Sequence, residues 1–125
     1  MNEHYIAKKP KNLSFKESAS LPFIALTGYE ALVNVAQVKS HHSVLLLGAG
    51  GSIGTFLLQY LKNVIGCNLV SGTCGTEDVP LISELGATEV FDYKKNEQPS
   101  NKYDIVVDLV GGKTKLQVFL VTRNR

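Results

Sequence analysis

The chain has 125 residues, 44% hydrophobic and 19% charged, with a formal net charge of +2. That is one domain's length and a globular balance able to bury a core. So small a charge argues against nucleic acid or an anionic membrane as partner, and no apolar run approaches the roughly 18 residues of a membrane span.

Residues 1–12 read as extended or loop, with neither an apolar signal core nor an Arg-rich, acid-poor transit pattern. The expected location is cytoplasmic, or mitochondrial if a presequence precedes these residues. Cys67 and Cys74 fall in no metal-type spacing and read as buried thiols of a reducing compartment. Ser14 and Glu17 form a capping-box pattern at the start of a short helix. Pro22 interrupts. Ile24, Leu26, Ala31, Leu32, Val35 and Val38 recur at helical spacing, which predicts a helix over 23–38.

A polar turn follows, and then Ser43 to Leu47, a short apolar run that predicts a fully buried strand. Ser52 to Ile65 carries an apolar face through Ile53, Phe56, Leu57, Tyr60, Leu61 and Val64, with Gly66 as its stop. Asn68 to Cys74 predicts a second strand and Asp78 to Leu85 a short helix with Pro80 in its first turn. Thr88 to Phe91 and Tyr103 to Leu109 predict the third and fourth strands. Leu116 to Val121, in the tail, reads as a helix remnant or an incomplete fifth strand. Apolar strands alternating with helices predict an α/β fold: a Rossmann-like parallel sheet with helices on both faces, in the order 3-2-1-4.

Between the first strand and the next helix stands "VLLLGAGGSIG", Val44 to Gly54. A strand that runs into glycines opening a helix has the pattern of a dinucleotide phosphate turn. The turn must be tight, its backbone must approach the pyrophosphate, and its helix must pack close to the strand. Free amides at the helix N-terminus then face the negative charge. The best register is Ala49-x-Gly51-x-x-Gly54, with alanine first; Gly51 serves phosphate approach and Gly54 helix packing. An NAD enzyme usually has an acid at the end of the second strand for the ribose hydroxyls. Thr73 to Thr76 has none, which tolerates NADP, and Gly75 and Thr76 offer small donors for a 2′-phosphate. No Lys or Arg is close in sequence, whereas Glu77 and Asp78 are.

The glycine turn, "KPKNLSFKESASLPFIALTGYEAL" (9–32), "ELGATEVFDYKK" (84–95) and "YDIVVDLVGG" (103–112) occur in one order. Together they resemble the medium-chain dehydrogenase/reductase superfamily. The similarity is to its zinc-independent quinone-oxidoreductase branch, near the reticulon-interacting mitochondrial group. The resemblance implies NADPH, with NADH the alternative, no zinc, and hydride transfer to a quinone or an α,β-unsaturated carbonyl. A homo-oligomer is a further expectation. The resemblance implies that Gly51, Ser52 and Ile53 meet the pyrophosphate and that Gly75 and Thr76 meet the 2′-phosphate. By the same matching, Tyr93 lines the adenosine side, Thr27 stands near the nicotinamide, and Leu109 lies at the end of the fourth strand, where the family's loop passes the cofactor. Ser52 departs from the family's usual glycine, and Asp78 falls near where some members place a lysine.

Relatives of this kind have two domains, so the chain reads as a fragment with about four of six strands. Residues 1–38 link from a catalytic domain, 39–112 form a partial dinucleotide-binding unit, and 113–125 are an atypical tail. No catalytic acid stands out. His4, His41 and His42 read as solvated, Tyr60 as core and Tyr103 as a strand cap. Asp108 reads as an acceptor for amides of the 111–112 turn. Two other readings stay open: a non-catalytic interaction or remnant protein, and an S-adenosylmethionine-dependent methyltransferase. The acids a methyltransferase expects at the first turn and second strand end are lacking.

Overall fold

A computed structural model describes residues 2–99 and 103–111 and the backbone of 118–120. Within the stretch expected to be extended or loop, Glu3–Tyr5 forms a 3₁₀ turn that the Asn2 side chain caps. The first helix is α1, Phe15–Ala19, held by the expected capping box: the Glu17 amide donates to Ser14 Oγ at 3.2 Å and the Ser14 amide to Glu17 Oε2 at 2.8 Å. Helix α2, Leu21–Tyr29, starts earlier than expected, because Pro22 sits in its first turn, where no amide is needed, and does not interrupt it. A π-helical stretch, Glu30–Val35, continues it, and the segment ends at Gln37, whose φ of 48° is left-handed, so helix does not reach Val38.

Strand β1, Val44–Leu47, leads into helix α3, Ser52–Tyr60, extended by a π-helical turn, Leu61–Ile65, and stopped by Gly66 at φ 80°. Strand β2, Val70–Cys74, is followed by a 3₁₀ turn, Thr76–Asp78, and helix α4, Val79–Glu84. Strands β3, Glu89–Asp92, β4, Ile105–Asp108, and β5, Val118–Leu120, complete the sheet.

The strand order is β3-β2-β1-β4-β5. β1 pairs in parallel with β2 (Val44 with Val70) and with β4 (Val44 with Ile105), and β2 pairs in parallel with β3. The predicted four-stranded parallel order 3-2-1-4 is therefore present. β5 lies antiparallel on β4, with Ile105 opposite Leu120. Of the two readings of the tail, a strand is what forms at Val118–Leu120; Gly112 and the rest of residues 113–125 lie outside the described residues.

Val44, Leu45 and Leu46 are all buried, so β1 is covered on both faces, as its unbroken apolar run requires. Leu57, Leu58 and Leu61 join Leu32, Val70, Ile82, Ile105 and Val107 in one core. Gly28 is where α2 meets α3: a Cβ there would stand 2.6 Å from Leu57 Cδ2. Among the described residues no helix is long and apolar enough to cross a membrane. The topology places the carboxyl ends of β1, β2 and β4 side by side, with the glycine turn above them.

Candidate functional site

The glycine turn is strapped to β2 through one residue. The Ala49 amide donates to the Thr73 carbonyl at 2.8 Å, and the Gly48 amide donates to Thr73 Oγ1 at 3.1 Å. Gly48 has φ 82°, a conformation that suits glycine. Ala49 is fully buried beneath the turn. The Gly51 amide returns to the Gly48 carbonyl at 3.2 Å. Gly51 is then the extended N-cap of α3, with no side chain capping the first amides, so they are open to an anion.

Gly54 and Gly51 differ in what they tolerate. A Cβ on Gly54 would lie 2.6 Å from Ala49 Cα, Ala49 O and Gly48 O, so close packing of helix on turn requires glycine there. A Cβ on Gly51 would meet nothing nearer than Gly48 O at 3.6 Å. Protein packing does not demand glycine at 51; its bare face looks outward.

Two hollows flank the turn and share Gly48 and Gly51. The first, about 520 Å³, runs over Gly50 to Thr73, Cys74, Gly75 and Asp78, with Tyr93 on its far wall. The second, about 400 Å³, is lined by Phe23 and Ile24 of α2, by Ser52, Ile53 and Gly54 of α3, and by Leu109. Both volumes are in the range of small-molecule sites.

Of the residues singled out in the sequence, Gly51 lines both hollows, Gly75 and Tyr93 the first, and Ser52, Ile53, Gly54 and Leu109 the second. Three line neither hollow. Ala49 is beneath the turn. Thr27 is half-buried on α2, beyond Phe23 and Ile24. Thr76 donates its hydroxyl to Asp92 Oδ2 at 2.6 Å.

Sequence reasoning missed Thr73, Phe23, Ile24 and the part played by Asp78. A hydroxyl at the end of β2 was a usable signal for Thr73. Asp78 was hidden by the 3₁₀ turn, closed by its own amide to the Gly75 carbonyl at 3.0 Å, which folds it back under the glycines. A Cβ on Gly50 would collide with the Asp78 carboxylate.

The first hollow is electronegative. Burial first, and then Asp78, Asp92, Glu77 and Glu97, push the Cys74 thiol above its ordinary range, so it is no ready nucleophile. Asp92 is held below the usual carboxylate range, chiefly by the Thr76 hydroxyl. Glu77 is lowered and Lys94 raised by their mutual bond at 2.7 Å, an exposed pair. Asp108 Oδ1 accepts the amides of Val110 at 3.0 Å and Gly111 at 3.3 Å, the structural role read for it.

The remaining singled-out residues have ordinary roles. His42 Nδ1 accepts the Lys39 amide at 3.1 Å, and Tyr60 stacks on Phe56. Among the described residues no group of three or more His, Cys, Asp or Glu is placed to hold a metal.

No family model matches the chain. It is 41% identical over 113 residues to 2-methylene-furan-3-one reductase of Solanum lycopersicum, covering 89% of this chain and 29% of that protein. It is 36% identical over 113 residues to the chloroplastic NADPH-dependent alkenal/one oxidoreductase of Arabidopsis thaliana, with the same two coverages, 89% and 29%. It is 36% identical over 120 residues to the mitochondrial NAD(P)H oxidoreductase RTN4IP1 of Dictyostelium discoideum, covering 90% of this chain and 34% of that one. This chain is homologous to quinone-type oxidoreductases of the medium-chain dehydrogenase/reductase superfamily. Among solved structures, the quinone oxidoreductase of Coxiella burnetii superposes with a TM-score of 0.77 at 33% identity, over 86% of this chain and 34% of that one. The chain thus spans about a third of the length of its oxidoreductase relatives, and the shared part holds the glycine turn.

Proposed function

We propose that the chain is the dinucleotide-binding part of an NAD(P)H-dependent oxidoreductase that delivers hydride to a quinone or an α,β-unsaturated carbonyl. The observation that carries this reading is the turn itself. Gly51 has an open face and uncapped helix amides behind it, and it forms the saddle between two hollows. A dinucleotide has the same shape: a pyrophosphate between two ribosyl-base arms.

When bound, the nicotinamide supplies the hydride. The chain's residues do the holding. The amides of Ser52 and Ile53 orient the pyrophosphate, while Gly51, whose own amide is held by the Gly48 carbonyl, leaves it room to approach. Tyr93 and Gly75 bound the adenosine arm. Leu109, Phe23 and Ile24, with Thr27 one turn further along α2, wall the apolar hollow for the nicotinamide and exclude water from one side of it. No proton donor is assigned to this chain. The zinc-independent form of the reaction is proposed from the family resemblance alone. Residues 39–112 are proposed as the cofactor unit and 1–38 as the segment joining it to a substrate domain.

The name of the Arabidopsis relative supports NADPH as a reductant used in the family; which dinucleotide this chain holds depends on its own cleft lining. The cytoplasm is the compartment proposed from the sequence, and the relatives' names supply the organellar alternatives. The test is a fluorescence titration of the purified chain with NADH and with NADPH. Saturable binding of at least one supports the reading; binding of neither at millimolar concentration sinks it.

A further inference from the structure

We infer that the first hollow selects NADH over NADPH and that Asp78 is the residue that does so. The inference rests on the dinucleotide reading above. A dinucleotide anchored at the glycine turn carries its adenosine ribose toward the carboxyl end of the second strand. At that end stands a carboxylate supplied by the 3₁₀ turn Thr76–Asp78, not by the strand. It packs against Gly50, on the floor of the hollow.

The neighbouring charges are already committed, and Asp78 is not. Asp108 accepts two backbone amides, and Glu97 accepts the Asp92 amide at 2.9 Å. Lys94 is bound to Glu77 at 2.7 Å, and Lys95 lies 3.9 Å from Asp92. Among the described residues, no hydrogen bond or ion pair engages the Asp78 carboxylate, and no Lys or Arg lines the hollow. The hydroxyl that would serve a 2′-phosphate, that of Thr76, is donated to Asp92 instead.

A free carboxylate is suited to accept hydrogen bonds from ribose hydroxyls and repels a phosphate dianion. At a separation of several ångströms near a protein surface that repulsion amounts to at least about a tenfold difference in affinity. The residues of this chain therefore fit the ribose of NADH and do not fit the 2′-phosphate of NADPH.

The experiment measures dissociation constants of NADH and NADPH for the full chain by fluorescence and calorimetry. The wild type is compared with Asp78→Asn, a near-isosteric change, and with Asp78→Lys; circular dichroism confirms folding. NADH binding at least about tenfold tighter than NADPH in the wild type is expected. The preference should collapse toward parity in Asp78→Asn and reverse in Asp78→Lys. Equal binding, or tighter NADPH, in the wild type overturns the selectivity. An NADH preference that Asp78→Asn leaves intact overturns its assignment to Asp78. Binding of neither dinucleotide overturns the dinucleotide reading itself, a distinct outcome.

Discussion

Ala49 has room for its methyl group only because residue 72 has none: a Cβ on Gly72 would stand 2.5 Å from the Ala49 Cβ. The alanine that opens the turn's A-x-G-x-x-G pattern is thus matched to a glycine on the neighbouring strand. Gly72→Ala is expected to cost about 1–3 kcal/mol by overpacking. Removing the opposing methyl with Ala49→Gly in the same chain should recover part of that loss. Denaturant midpoints of the two single variants and the double variant measure the coupling; strict additivity would mean that the two sites do not press on each other.

Gly51→Ala and Gly54→Ala should separate binding from folding. At 54 the added carbon meets backbone atoms at 2.6 Å, which cannot turn aside. A loss of about 1–3 kcal/mol is expected there. At 51 the nearest atom is 3.6 Å away and the backbone is extended, so stability should stay within about 0.5 kcal/mol. Dinucleotide affinity should nonetheless fall in Gly51→Ala, since the methyl occupies the face open to phosphate. Thermal melts beside cofactor titrations check both halves.

Thr73→Val removes the acceptor for the Gly48 amide while keeping the side chain's shape. A loss of about 1 kcal/mol is expected, with Thr73→Ser close to wild type. Weakened dinucleotide binding should accompany the loss, because the same bond fixes the turn. Chemical denaturation and a binding titration of both variants test this.

Asp92 makes acid stability predictable in sign. Its carboxyl is held below the usual range by the Thr76 hydroxyl and the Lys94 amide. The folded chain therefore binds that proton less readily than the unfolded chain. The contribution is fully present above the ordinary aspartate pKa of about 3.9 and is lost as pH falls through the lowered folded value. Asp92→Asn should be less stable than wild type at neutral pH, with the gap closing as pH descends below that range. A gap unchanged with pH would show that charge is not the cause.

The parallel sheet was legible because Val44 to Leu47 and Ile105 to Val107 are apolar without alternation, and because glycines stop each element. Helix starts were less legible. Pro22 suits both a break and a helix's first turn, and the local pattern does not tell which; in the structure it lies in the first turn of α2, where no amide is needed. The antiparallel direction of β5 depends on long-range pairing with β4, which local pattern does not encode. At the site, Gly51 and Gly54 act through backbone geometry close in sequence, whereas Thr73 reaches the turn from the neighbouring strand through its hydroxyl and carbonyl. Asp78 acts through a turn that reverses its apparent distance from the glycines, and Thr76 is diverted by a carboxylate sixteen residues away.

The central claim is that the amides at the head of α3 receive a pyrophosphate. The most direct measurement is a backbone-amide NMR titration of the chain with NADH. The account predicts saturable shifts concentrated at Gly50 to Ile53 and at the end of β2, and their loss in Gly51→Ala. Shifts confined to other parts of the chain, or none at millimolar ligand, would contradict it.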